Sequence, residues 1–262
     1  MTSNELVERS IALLNRQSRK HSAYVYALFS GGDDSLTNTL VTSKAERFQA
    51  AVHLDTGIGI PETQEFVIKT CRERGWPLKI YRAKDYGQDY DALAKQYGFP
   101  GPGAHFRMYT RLKERALDAF VRDHKGHRFQ RLILSTGARS AESQRRMGHV
   151  KPVRRDGCSV WVNPIHDWQK RDCFDLIETY KVERNPVVEL LHMSGECLCG
   201  CFAKSDELKE ITLWFPKVAR HIRALENEVE RAGIKACRWG QRPPTTRSTR
   251  KKVSELCRRC EL

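Results

Sequence analysis

Two stretches of this 262-residue chain carry residues whose types and spacing could do chemistry. The first is SGGDDS, Ser30 to Ser35, where the apolar run YVYALF gives way to a helical pattern. Gly31 and Gly32 can adopt backbone angles closed to other residues and let an anion approach the main chain. Ser30 and Ser35 add hydroxyl donors, and the amides of a helix start converge readily on phosphate. A Walker loop would need GxxxxGK followed by Ser or Thr, with the lysine on the terminal phosphates. Here the carboxylates Asp33 and Asp34 stand near that place instead. A carboxylate beside a polyphosphate is tolerable if it holds Mg2+ or receives amides at the helix start. The plainer alternative is a tight strand-to-helix turn with an Asp or Ser cap.

The second stretch is the cysteine-rich end. Of nine cysteines, Cys71, Cys158 and Cys173 are scattered, whereas Cys197, Cys199, Cys201, Cys237, Cys257 and Cys260 crowd the final quarter. In a reducing compartment such crowding favours metal or redox chemistry over disulfides. SGECLCGCF places three thiols on alternate positions, and LCRRC is a CxxC pair whose sulfurs can turn toward one metal. Four thiolates hold either an iron-sulfur cluster or a structural zinc. Uncoordinated thiols are the bland alternative. Cys260, beside Arg258 and Arg259, would also make a competent low-pKa nucleophile.

Elements must position these groups. Residues 3–17 predict an amphipathic helix with Val7, Ile11 and Leu14 on one face. AYVYALF, FQAAVHLDT, PLKIYRA, RLILSTGAR and VWVNPI read as strands. Helical patterns intervene in DSLTNTLVTSKAE, PETQEFVIKTCRERG, HFRMYTRLKERALDAFVRDH and KRDCFDLIETYKV. This alternation predicts an α/β fold, a parallel sheet covered on both faces, with ligands bound beyond the carboxyl ends of its strands. After about residue 185 the alternation gives way to a helix over PKVARHIRALENEVERAG, with Val218, Ile222, Leu225 and Val229 along one stripe, and then to a basic tail. The expected organisation is an N-terminal helix at 1–19, a nucleotide-binding domain at 20–185 and a Cys-rich C-terminal region at 186–262.

No stretch approaches a membrane span and the amino terminus lacks a signal-peptide layout, so a soluble cytoplasmic protein with no membrane partner is expected. A net charge of +14 favours polyanions or phosphorylated small substrates, with a solvated surface as the plainer reading.

SGGxDS is the signature of the PP-loop, the pyrophosphate loop of enzymes that split ATP between its alpha and beta phosphates. Within that superfamily the chain resembles the phosphoadenosine phosphosulfate (PAPS) reductase family over roughly residues 20–205. HLDTGIGIPET looks like its second-strand motif, STGARSAESQRR like its GxRxxES segment and NPIHDWQKRDCFDLI like its Pro-Ile-x-x-Trp stretch. The resemblance implies a Rossmann-like, adenine nucleotide alpha hydrolase-like fold. It also implies a nucleotide site built from Ser30, Gly31, Gly32, Asp33, Asp34, Ser35, His53, Asp55, Thr56, Gly57, Gly137, Arg139, Arg145 and Arg146. Asp34 and Arg139 would be catalytic, and the arginines would grip phosphate or sulfate oxygens in a planar, bidentate way. Asp55 as a turn cap and Arg146 as a solvated helix charge are the alternatives. Asp33 is a departure, because many sulfur-transferring members carry lysine there.

Cluster-bearing members combine cysteines after the last core helix with a later CxxC. The corresponding ligands here are Cys257 and Cys260 with two of Cys197, Cys199 and Cys201, with Cys237 in reserve, for a 4Fe-4S cluster rather than zinc. The implied function is cleavage of Mg2+-bound ATP to AMP and pyrophosphate in support of sulfur transfer to DNA or tRNA, served by a cysteine desulfurase or another sulfur or electron donor. One alternative is reduction of PAPS or its unphosphorylated analogue APS to sulfite, with Cys260 as the mobile terminal nucleophile; the Glu-Cys-Gly core of that family's tail is absent from RRCEL. The other is a nucleotide-dependent nucleic-acid-binding module without catalysis.

Overall fold

The computed structural model describes residues 2–127, 130–142, 150–204 and 206–240. Helix α1 (Ser3–His21) opens with a reciprocal cap: the Glu5 amide donates to Thr2 Oγ1 at 3.3 Å and the Thr2 amide to the Glu5 carboxylate at 2.7 Å. Strands β1 (Val25–Leu28), β2 (Phe48–Asp55) and β3 (Leu78–Arg82) alternate with helices α2 (Asp33–Thr42) and α3 (Pro61–Glu73). Helix α4 (Tyr90–Tyr97) follows. Next comes one continuous helical rod formed by α5 (His105–Tyr109), a π turn over Thr110–Glu114 and α6 (Arg115–His124). Beyond it lie β4 (Leu132–Ser135), β5 (Val153–Asp156), β6 (Ser159–Val162) and helices α7 (Lys170–Thr179), α8 (Pro186–Leu191), α9 (Glu207–Trp214) and α10 (Pro216–Arg231).

The six strands lie in the order β3-β2-β1-β4-β6-β5. All neighbours pair in parallel except β5 and β6. The chain runs outward from β1 through β2 to β3, then jumps back so that β4 lies on the other side of β1. This reversal opens a crevice at the carboxyl ends of β1 and β4, the place where open α/β sheets bind ligands. SGGDDS leaves β1 and STGAR leaves β4, so topology alone delivers both loops there.

Both faces of the sheet are covered. On one, Leu36, Leu40, Phe66, Ile133, Val162 and Leu176 join residues of α1, α2, α3 and α7; on the other, Tyr26, Leu28, Leu134 and Trp161 meet Leu117 and Phe120 of α6. A third apolar cluster lies off the sheet and joins Ile58, Ile60, Tyr90 and Leu112 to Val187, Leu198, Ile222 and Leu225. The five expected strands are present, as are the expected helices.

Strand β5 was not expected, because VRRD has no apolar alternation. It is an edge strand, where charged side chains meet solvent, and Gly157 at φ 56° turns it tightly back onto β6. Helix α4 was missed as well: Asp89 caps it by accepting from the Asp91 and Ala92 amides at 2.8 and 3.2 Å, a local signal that goes unnoticed in a polar stretch. Helices α8 and α9 are short, and their burial comes from tertiary contacts rather than from a long period. No described helix is long and apolar enough to cross a membrane.

Candidate functional site

The SGGDDS loop turns at Gly31, whose φ of 81° lies in the left-handed region. A Cβ on Gly31 would stand 2.7 Å from Thr63 Cγ2. The loop is pinned from below: Asn185 Nδ2 donates to the Gly31 carbonyl at 3.0 Å and to Thr63 Oγ1 at 3.3 Å. Ser35 Oγ donates to the Gly32 carbonyl at 2.8 Å and receives the Ser30 hydroxyl at 3.1 Å. Gly32 is the N-cap of α2 and has no side chain to satisfy the first amides of that helix, which leaves them available to an anion.

The two aspartates of the loop are buried, share Lys170 and differ in the arginine that each takes. Asp34 Oδ2 accepts from Arg139 at 3.2 Å and Oδ1 accepts from Lys170 at 3.0 Å. Asp33 is gripped by Arg184 from Nε at 3.1 Å and Nη2 at 3.0 Å, and accepts from Lys170 at 3.1 Å. Hydrogen bonding to Asp33 raises the Arg184 pKa above its ordinary value. Asp34 and Arg139, remote in sequence and both expected at the site, are therefore brought together. Lys170 and Arg184 were missed. The signal was present, since an uncompensated carboxylate at the start of a buried helix demands cations, but nothing in a single sequence says which lysine or arginine supplies them.

The remaining sequence-derived residues shape the site from behind or lie elsewhere. His53 is buried with Nδ1 2.9 Å from the Phe29 carbonyl, so it secures the end of β1 and has no exposed face for an adenosine. Asp55 accepts from the Gly57 amide at 2.9 Å and faces Arg82 at 3.6 Å, while Gly57 turns the loop at φ 75°. Asp55 therefore caps its own turn. Gly137 lies buried between Thr136, whose hydroxyl donates to Asn163 Oδ1, and Ala138. Arg145, Arg146, Cys257 and Cys260 fall outside the described residues.

The loop after β2 is stitched to the cysteine segment. The Ile60 amide donates to the Gly195 carbonyl at 2.7 Å, the Leu198 amide to the Ile58 carbonyl at 2.8 Å and Thr56 Oγ1 to the Glu196 carbonyl at 2.9 Å. From the other side Trp239 Nε1 donates to the Leu198 carbonyl at 2.7 Å, and Tyr90 Oη to that of Cys199 at 2.9 Å. Lys113, on the π turn, pairs with Glu196 at 2.9 Å with both side chains nearly buried. π turns often sit at functional sites.

The sulfurs of Cys197, Cys199 and Cys201 are neighbours, and contact with Cys199 together with burial pushes the Cys197 thiol well above its ordinary range. Among the described residues no three His, Cys, Asp or Glu side chains converge on a metal position. The donor chemistry nevertheless fits a thiolate-held group: any two of three adjacent sulfurs on an anchored loop would make half of a four-thiolate set.

One cavity of ≈ 1410 Å³ links the two halves. Gly32, Asp33, Asp34, Arg139 and Lys170 line one part, and Lys113, Cys197, Cys199 and Cys201 another.

The parallel sheet with its reversal at β1 and β4, and a glycine loop presenting helix amides at that crevice, define a PP-loop protein of the Rossmann-like kind. The chain matches the phosphoadenosine phosphosulfate reductase domain over residues 24–204 and belongs to that family. It is 27% identical over 218 residues to an uncharacterized protein of Methanocaldococcus jannaschii, covering 80% of this chain and 42% of that one, so it spans about two fifths of that relative's length. Among solved structures it is similar in fold to the PAPS reductase of Candida auris in a phosphate complex, with a TM-score of 0.53, 16% identity and coverage of 72% of this chain and 90% of the other. The U34-tRNA thiolase of Methanococcus maripaludis, solved with its 4Fe-4S cluster, gives a TM-score of 0.54 at 15% identity over 88% and 81%. The FMN adenylyltransferase of Candida glabrata gives 0.51 at 11% over 72% and 61%.

Proposed function

We propose that this member of the PAPS reductase family binds ATP at the SGGDDS loop, splits it to AMP and pyrophosphate, and so supports transfer of sulfur to a nucleic acid, as in tRNA thiolation or DNA phosphorothioation. One observation carries the reading: the phosphate loop and Cys197, Cys199 and Cys201 line the same cavity, and the cysteine segment is hydrogen-bonded to the loop after β2. A reaction that activates with a nucleotide and then delivers sulfur needs that proximity.

In this scheme the α2 amides and Arg139 hold the phosphates of Mg2+-bound ATP while an acceptor oxygen attacks the alpha phosphorus, expelling pyrophosphate. A sulfur nucleophile then displaces AMP from the activated acceptor. An iron-sulfur cluster held by Cys257 and Cys260 with two of Cys197, Cys199 and Cys201 would supply redox chemistry and an open iron site for sulfur. The net charge of +14 supports a polyanionic acceptor, with salt-sensitive binding. A cysteine desulfurase or other donor would deliver the sulfur in the cytoplasm. The fold shared with a cluster-bearing tRNA thiolase is consistent with the scheme.

The test is anaerobic purification with iron, sulfide and zinc analysis, followed by incubation with alpha-labelled ATP, Mg2+ and tRNA or DNA. Iron matching sulfide, together with labelled AMP that appears only with an acceptor, supports the reading; intact ATP throughout defeats it. Sulfite release from PAPS or APS in a parallel reaction, abolished by Cys260→Ser, would put a sulfonucleotide reductase in its place.

A further inference from the structure

SGGDDS carries no lysine, yet the loop is not anionic in effect. Among the described residues Asp33 and Asp34 face Arg139 on the loop after β4, Lys170 at the start of α7 and Arg184 just before α8. Glu189, more than half exposed, touches only the outer side of Arg184, at 3.5 Å. Arg184 spends two donors on Asp33 and thereby neutralises it. Arg139 does the same for Asp34 with Nη2. Lys170 lies between the two carboxylates and bridges them. Its ammonium has three donors, of which two are used, on Asp33 at 3.1 Å and Asp34 at 3.0 Å. It lines the cavity beside Gly32, and its side chain is 44% exposed whereas those of the aspartates are nearly buried.

Phe174, one turn further along α7, fixes this arrangement. Its ring carries Lys170 Nζ at 4.9 Å and the Arg184 guanidinium at 4.7 Å from its centroid. The two cations are thus held around one aromatic ring and one carboxylate.

We infer that Lys170 is the phosphate-gripping cation of this loop, and that Asp33, neutralised by Arg184, is the positioning residue that holds it over the α2 amides. The charge that a loop lysine would carry is moved to another helix. Its remaining donor takes a phosphate oxygen of the ligand in a charge-assisted hydrogen bond. Resting on the nucleotide reading above, this makes Lys170 a contact to the ligand's phosphates and not to its adenosine.

The test uses the full chain and calorimetric titration at fixed ionic strength, with ATP and inorganic pyrophosphate as ligands and adenosine as competitor. Lys170→Met is expected to weaken both phosphate ligands about tenfold or more, the loss of one charged hydrogen bond. Competition by adenosine stays unchanged and Lys170→Arg retains most of the affinity. Arg184→Gln also weakens pyrophosphate by unmasking Asp33, and adding Asp33→Asn to that variant restores binding, a rescue that a merely structural role does not produce. Wild-type affinity in a folded Lys170→Met protein overturns the inference, as does an equal loss for adenosine or a wild-type chain that binds no pyrophosphate. If Lys170-dependent pyrophosphate binding is kept but ATP binds no better than pyrophosphate and adenosine does not compete, the nucleotide reading falls and the role of Lys170 stands.

Discussion

Thr56 Oγ1 donates to the carbonyl of Glu196 at 2.9 Å, and so joins the end of β2 to the residue preceding Cys197. Around this bond the two loops are too close for any side chain between them: a Cβ on Gly59 would lie 2.6 Å from the same Glu196 carbonyl. The glycine is therefore a spacer of minimum size, and the cysteine segment is held by the frame of the nucleotide domain, not by its own short helices. Gly59→Ala must push the segments apart, because backbone cannot yield as a flexible side chain can. Cys197, Cys199 and Cys201 should react several times faster with a thiol reagent in the metal-free variant than in metal-free wild type. Far-UV circular dichroism should show the sheet domain intact. Equal labelling rates would show that the loops tolerate the methyl group and do not depend on that contact.

Gly31 tests the phosphate loop by the opposite route, through backbone conformation. At φ 81°, with a Cβ 2.7 Å from Thr63 Cγ2, alanine there meets both strain and a buried β-branched neighbour. Gly31→Ala should cost about 1–3 kcal/mol in urea unfolding, the usual cost of a non-glycine residue forced into this region. It should also lower pyrophosphate affinity, since the α2 amides move with the loop. Unchanged stability would mean that the turn can relax into another conformation.

Cys71 gives a pH dependence with a definite sign. It is fully buried in the core between α3 and the sheet, and burial pushes its thiol from the ordinary 9.0 up to about 12. Below pH 9 both folded and unfolded chains keep the proton. Between about 9 and 12 the unfolded chain releases it while the folded chain does not, so stability falls by up to about 1.4 kcal/mol per pH unit. Cys71→Ala should remove that component of the slope. Denaturant midpoints for the two proteins, compared at pH 8 and pH 10, should converge as the pH rises; parallel curves would place the Cys71 thiol in contact with water. In the native protein at pH 8, Cys71 should also resist alkylation.

How much of this was legible in the sequence follows from the range of the forces involved. Strands β1, β2 and β4 are buried on both faces and announce themselves as apolar runs, and SGGDDS and STGAR fall where such strands must end. From these, the crevice and the encounter of Asp34 with Arg139 could be anticipated. The partners of Asp33 could not: Lys170 and Arg184 lie 137 and 151 residues away, and one sequence holds 46 lysines and arginines with nothing to rank them. His53 illustrates the converse case. Its place at the end of a strand suggested a ligand contact, whereas packing turned the ring inward onto the Phe29 carbonyl. The anchoring of the cysteine segment by Trp239 and Thr56 is likewise made of long-range hydrogen bonds that no local pattern encodes.

Lys113 and Glu196 pose a question of energy that a double variant answers. They pair at 2.9 Å with each side chain about one tenth exposed, and the π turn over Thr110–Glu114 places the lysine over the cysteine segment. Each ion loses most of its hydration there, so the attraction between them largely offsets a cost already incurred, and removing the lysine takes away the ion pair that compensates the Glu196 charge. Lys113→Met should therefore destabilise the protein by roughly 3 kcal/mol, the lower end of the range for a broken buried pair, because the site keeps some contact with water. The double variant Lys113→Met, Glu196→Gln removes both charges and keeps the volume, and should recover most of that loss. Urea midpoints for the four proteins of this cycle measure the coupling directly. If the double variant is as unstable as the lysine variant alone, the pair contributes through packing of the π turn and not through compensation of the Glu196 charge. If both singles are neutral, water reaches the pair freely, and the cysteine segment is held by its backbone hydrogen bonds to Ile58, Ile60 and Thr56 without help from this ion pair.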